Sequence, residues 1–272
     1  SLRTMKNQIS KQRSLLLTAF LALMTFGTVS AANTILKETD MTGVSFWIAT
    51  AMMLASTVFF IMERNNVAAK WKTSMTVAAL VTGIAWYHYT YMRDHWNTTG
   101  ESPLVLRYVD WLITVPLQVS EFYLILAAIG VASAALFWRL FGASLVMLIA
   151  GFLSESADSI DAITSSMEWP LFIVGVLAWA YIIYELWAGE AKEKVSGASE
   201  GTQFAFKAMA IILTVGWAIY PLGWILGQDA GKTGIENLNI LYNIADVVNK
   251  TAFGMMVWYA ATMDTKASSS EE

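Results

Sequence analysis

Apolar residues dominate this chain in long stretches, and short polar or charged segments interrupt them. The stretches lie near 44–62, 73–92, 102–128, 131–154, 168–188, 204–227 and 237–263. Each is close to the ~20 residues that a helix needs to cross a hydrocarbon core of about 30 Å. The runs are continuous and end at Gly, Asn or charged residues. Barrel strands would alternate over about 10 residues, so helices are the better reading. The pattern predicts an all-α protein, a seven-transmembrane-helix bundle. No internal repeat or low-complexity tract suggests a second domain.

A separate apolar run lies nearer the N-terminus. Lys6, Lys11 and Arg13 precede an apolar stretch from Leu15 to Val29, and Val29-Ser30-Ala31 has the small-x-small form of a cleavage site. This reads as a secretory signal peptide over 1–31, cut after Ala31. An uncleaved anchor is the alternative, although the run is short for a full span. Ser1–Thr4 precede the first Met and read as extraneous. The remainder divides into a membrane domain at 32–264 and a disordered cytoplasmic tail at 265–272, "TKASSSEE".

Composition agrees with a membrane protein. Hydrophobic residues make up 56% of the 272 and charged residues only 14%, against roughly 25% charged in a soluble domain. A net charge of -4 and the lack of a basic patch speak against nucleic acid. With no Cys and 2 His, neither disulfides nor a metal centre is expected. Basic residues fix the orientation. Arg64, Lys70, Lys72, Arg139, Lys192, Lys194, Lys207 and Lys266 fall on one side, and Lys37, Arg93 and Lys232 on the other. The richer side is cytoplasmic, which places the mature N-terminus outside, as a cleaved signal requires.

Two spans carry ionisable residues at depth. The third reads "RYVDWLITVPLQVSEFYLILA", with Arg107, Asp110, Thr114 and Glu121, and the seventh holds Asp246 and Lys250 one turn apart. Each charge costs on the order of 3 kcal/mol at the bilayer centre unless paired, and such residues usually mark ion or proton pathways. Asp110 and Thr114 share a helix face. Glu121, eleven residues beyond Asp110, returns to that face about 16 Å further along. Arg107, Asp110, Asp246 and Lys250 balance as an outward-side ionic knot. Glu121 has no basic residue at its depth and is expected to hold its proton at rest. The plainer alternative is a structural ion pair and a snorkelling Glu.

These residues, with "TGVSFW", "STVFF", "AKWKTS", "YIIYELWAGE", "GWAIYP" and "LYNIADVVNK", resemble the microbial rhodopsins, and among them the blue-absorbing proteorhodopsin group, over the whole mature chain. The resemblance implies all-trans retinal bound to Lys250 as a protonated Schiff base. It makes Asp110 the counterion and proton acceptor, Asp246 the second counterion, Arg107 the organiser of the outer half-channel and Glu121 the cytoplasmic donor. Asp, Thr and Glu at 110, 114 and 121 match the proton-pump pattern, where sodium pumps of the family carry Asn, Asp and Gln. Trp111, Trp217, Tyr220 and Pro221 match the retinal pocket; by themselves they would pass for an ordinary Pro-kinked helix and its packing. Gln118 matches the position that goes with blue absorption.

Trp179 stands where antenna-carotenoid relatives have Gly, which argues against a second chromophore. His88 matches the histidine that bonds the acceptor carboxylate, with Trp47 meeting it from a neighbouring protomer of a pentamer or hexamer. His95 is read as an outer-loop residue without a role. The implied activity is light-driven outward proton transport across a bacterial inner membrane, with a slow photosensory rhodopsin as the alternative.

Overall fold

The computed structural model describes residues 36–160, 163–227 and 231–269. The signal-peptide reading of 1–31 falls outside them. Among the described residues, seven long helices run in chain order. They are α1 Met41–Glu63, α2 Lys72–Thr99, α3 Leu104–Ala128, α4 Ala134–Glu155 and α5 Glu168–Trp187, then α6 and α7, each built in pieces. In α6 a π-helical turn, Ile212–Gly216, separates Glu200–Ile211 from Ile219–Gly227; in α7 another, Val248–Ala252, joins Gly231–Val247 to Phe253–Ser269. No strand occurs among the described residues, as the continuous apolar runs predict.

Side chains that terminate the helices explain several boundaries. Asp40 Oδ1 accepts from Gly43 N–H at 2.8 Å to start α1, and Ser133 and Ser199 cap α4 and α6 in the same way. These acceptors satisfy amide donors that the first turn leaves free. Gly100, at φ 67°, closes α2 in the left-handed conformation that glycine adopts without strain. The closure lies well beyond residue 92, where the apolar run ends, so Arg93 and His95 are helical, not loop residues. A short helix, Glu190–Val195, which hydropathy does not signal, follows α5. At the other end α7 continues to Ser269, so 265–269 are helical instead of disordered, and Thr265 Oγ1 accepts from Ala68 N–H at 2.9 Å.

Among the described residues, five stretches are long and apolar enough to cross a membrane, those of α1, α3, α4, α5 and α6. Polar residues dilute α2 and α7, the first toward its C-terminal end and the second along the face it turns into the bundle. In the bundle α1 packs on α2 and α7, α4 on α5, and the first part of α6 on the last part of α7. In α3, 56% of the apolar window is buried, against 22–33% in the other four, which makes α3 the central helix. The outward faces carry exposed apolar side chains such as Ile48, Leu80, Ile113, Leu177, Val215 and Leu226, suited to a lipid environment.

Candidate functional site

Helix α3 supplies one wall of the site. Arg107, Asp110, Thr114, Gln118 and Glu121 are all at most 1% exposed, so their shared face looks into the bundle. The opposite wall is α7, which presents Asn239, Asn243, Asp246 and Lys250 at intervals of four, three and four residues. That spacing keeps them on a single stripe. The π-helical turn at Val248–Ala252 contains Lys250, whose Nζ lies 3.3 Å from Asp246 Oδ1 and 3.5 Å from Asp110 Oδ2. The cation therefore faces two carboxylates, one from each wall.

The two carboxylates are held differently. Asp246 accepts from Tyr89 OH on Oδ2 at 2.6 Å and from Trp111 Nε1 on Oδ1 at 3.3 Å. Tyr220 OH also donates to Oδ1, and the Arg107 guanidinium stands 4.0 Å from Oδ2. Asp110, fully buried, receives no protein hydrogen bond on either oxygen; His88 Nδ1 is 3.6 Å away and is bonded instead to Ile84 O at 2.9 Å. Thr114 Oγ1 donates to the Asp110 backbone carbonyl at 2.9 Å, not to its carboxylate. Arg107 extends the cluster by donating to Asn239 Oδ1 at 2.9 Å and to Asn243 Oδ1 at 2.7 Å. The four charges expected to form a knot do meet, but Arg107 engages Asp246 rather than Asp110.

Glu121 lies apart from this cluster. It is 1% exposed, and among the described residues the Ser74 hydroxyl, itself buried, is the polar group that stands against its carboxyl, with no cation and no closely aligned hydrogen bond beside it. Aromatic packing closes in beside it, with Phe122 edge-on to Phe206 and to Phe253 at centroid distances of 5.1 and 5.6 Å. An ionised carboxylate without partners is costly in such surroundings, whereas a neutral acid is tolerated.

A cavity beside these walls is lined from α3 to α7, with Trp111, Gln118, Trp179, Trp217, Tyr220, Pro221 and Lys250 among its lining residues. It tests whether the residues present suit a long, flat, apolar aldehyde-derived chromophore. Three indoles and a phenol supply broad hydrophobic faces. Gly151 and Gly175 line the same space; a Cβ on Gly175 would press on Met147 O at 3.2 Å, and one on Gly151 would come within 3.3 Å of the Tyr108 hydroxyl. Lys250 supplies the amine that an imine linkage needs. Donor set and shape fit the group. Trp179 anchors its indole by donating to Leu213 O at 3.2 Å, inside the π-helical turn of α6.

The structure also brings in residues that sequence reasoning missed: Tyr89, Asn239, Asn243 and Asn249, and a Tyr108 OH to Glu155 Oε2 bond of 2.7 Å beside the cavity. For the asparagines a signal existed, the polar stripe along α7. Trp47 packs its ring beneath Arg93 Cζ at 3.9 Å.

Residues 40–263 match the family described as bacteriorhodopsin-like protein. The chain belongs to that family. A green-light absorbing proteorhodopsin from Gamma-proteobacterium EBAC31A08 is 50% identical over 252 residues, 92% of this chain and 97% of that protein. A blue-light absorbing proteorhodopsin from Gamma-proteobacterium Hot 75m4 is 50% identical over 253 residues, with the same shares covered. The crystal structure of blue light-absorbing proteorhodopsin from Med12 superposes with a TM-score of 0.68 at 52% identity, over 83% of this chain and all of that one. The chain is thus a multi-pass membrane rhodopsin, and its family implies retinal as the chromophore.

Proposed function

We propose that this rhodopsin is a light-driven outward proton pump that carries retinal on Lys250. The observation behind this reading is the Lys250 nitrogen, which lies beside two carboxylates, while a separate buried carboxyl group, Glu121, with only the Ser74 hydroxyl against it, sits eleven residues beyond Asp110 on α3. Retinal, when bound to Nζ as an imine, supplies the light-triggered change of geometry and of proton affinity at that nitrogen. Everything else falls to the protein's own side chains.

Asp110 Oδ2, 3.5 Å from Nζ, has lone pairs that no protein donor occupies, and it is the base that takes the proton. Asp246, with its oxygens filled by Tyr89, Tyr220 and Trp111 and with Arg107 close by, stays an anion and keeps the local charge balanced. His88, at 3.6 Å, modulates the titration of Asp110. Arg107, Asn239 and Asn243 hold the outer end of the path through which the proton leaves. Glu121 stores a proton in its dry inner site and returns it to the Lys250 nitrogen, and Thr114 fixes the α3 backbone between the two acids.

The walls formed by Trp111, Trp217, Tyr220 and Pro221 restrict the chromophore to a narrow slot, and Gln118 sets its colour toward the blue. The basic residues between helices support a cytoplasmic position for Glu121, and the proteorhodopsin relatives, one from a Gamma-proteobacterium, support a bacterial inner membrane as its setting. Trp47 and His88 would lie near a protomer interface in a pentamer or hexamer. Illumination of cells that express the protein, with external pH recorded, tests the reading. Acidification that a protonophore abolishes is the expected result. A stable, light-sensitive pigment that moves no protons would instead indicate a photosensor.

A further inference from the structure

The π-helical turns of α6 and α7 face each other, and one side chain joins them. Asn249, 2% exposed and immediately before Lys250, donates from Nδ2 to Gly216 O at 3.2 Å, at the end of the α6 turn, and to Tyr220 OH at 3.2 Å. Its own backbone carbonyl, inside the α7 turn, accepts from Gln118 Nε2 at 3.0 Å. Glycine is required opposite it, since a Cβ built at 216 would overlap the Asn249 carboxamide oxygen. A π turn leaves backbone carbonyls without their usual i+4 donors, so an amide side chain that reaches across satisfies groups that would otherwise remain open.

The hydrogen bonds run in one direction. The Asn249 amide donates to the Tyr220 oxygen, and the Tyr220 hydroxyl donates to Asp246 Oδ1, the oxygen that also faces Lys250 Nζ at 3.3 Å. Donors arranged head to tail polarise each other, so the phenol holds the carboxylate more firmly while its own oxygen is engaged.

We infer that Asn249 is a positioning residue. Its carboxamide fastens the two π-helical turns together, orients the Tyr220 hydroxyl on Asp246 and, through its backbone carbonyl, connects Gln118 to the Lys250 segment. The part of this that concerns colour rests on the reading of Lys250 as the retinal-bearing residue; the part that concerns Tyr220 does not. Gln118 then acts on the chromophore end of α7 through the backbone as well as through its own dipole.

The experiment separates the two parts. In retinal-free protein carrying 13Cζ-tyrosine, the Tyr220 resonance, assigned with Tyr220→Phe, is compared between wild type and Asn249→Leu, a change that keeps the bulk and removes the donors. The Tyr220 signal should move while that of Tyr89, which serves the other oxygen of Asp246, stays in place. An unmoved Tyr220 signal overturns the inference. If Asn249→Leu does not fold, Asn249→Ala and Gly216→Ala are read in the same way, and Gly216→Ala should recover thermal stability when combined with Asn249→Ala, which clears the space its methyl needs. In the pigment, the band shift of Gln118→Leu should differ between the wild-type and Asn249→Leu backgrounds. Equal shifts would refute the Gln118 connection, whereas failure of wild type to form any pigment would refute the retinal reading and leave the tyrosine result standing.

Discussion

The two ends of the buried polar face of the bundle treat their carboxylates in opposite ways. Around Asp246 the protein spends two tyrosines, an indole and an arginine, and Arg107 is itself fixed by two asparagines. Around Glu121 the described residues offer one neutral hydroxyl, Ser74, and no charged group. A satisfied carboxylate is a fixed charge, and an unsatisfied buried one favours its neutral form. Asp110 is intermediate, with the Lys250 cation at 3.5 Å and no tyrosine, indole or guanidinium on either oxygen, which in the proposed pump leaves it the more able of the two aspartates to change its protonation state. Under the proposed pump, direction would follow from that contrast, with a hydrogen-bonded exit and a dry proton store on opposite sides of one nitrogen.

The comparison can be broken most completely at its centre. Lys250→Ala should give a protein with no visible band after retinal is added, as an absorption spectrum will show. Glu121→Gln removes the stored proton but keeps shape; recovery after a flash should slow by roughly 100-fold, the usual scale for loss of a general acid, in time-resolved absorption. The same substitution should leave folding stability nearly unchanged, since no ion pair is lost and the Gln amide can keep the contact with the Ser74 hydroxyl. Asp246→Ala should behave differently, destabilising the retinal-free protein by about 3–5 kcal/mol in denaturant titration, because Arg107 and Lys250 lose a buried counter-charge.

Smaller effects sharpen the contrast between Asp110 and Asp246. Lowering pH through the titration of Asp110 removes a negative charge 3.5 Å from the Lys250 nitrogen, so positive charge there is less stabilised in the ground state and the visible band moves to longer wavelength. His88→Ala should shift the midpoint of that transition in a spectrophotometric titration, while Asp246 stays ionised throughout. The smallest change is expected for Gln118→Leu, a shift of the band toward the green without loss of pigment.

Much of the fold is legible in the sequence because a membrane leaves few choices. Apolar runs of sufficient length become helices, and Arg107, Asp110, Thr114, Gln118 and Glu121 reach one face of α3 by periodicity alone. Helix ends are less readable where polar helices extend past the lipid. The outer end of α2 runs to Thr99 because Gly100 stops it there, and Glu190–Val195 and the last turns of α7 form where hydropathy is silent. Pairings across the bundle are not encoded locally at all. Tyr89 reaches Asp246 across 157 residues, and nothing in "AWYHYTY" says which of its tyrosines turns inward. The stripe formed by Asn239, Asn243, Asp246 and Lys250 could have been found by spacing, and it explains why Arg107 is drawn to α7 instead of to its own neighbour, Asp110.

The central claim is that the donor-free carboxylate, not the saturated one, receives the proton. Light-induced infrared difference spectra test it directly in the wild type, Asp110→Glu and Asp246→Glu pigments. The protonated-carboxyl stretch that rises during the cycle should change frequency in Asp110→Glu and keep it in Asp246→Glu. A stretch that moves with position 246 and ignores position 110 would contradict the account.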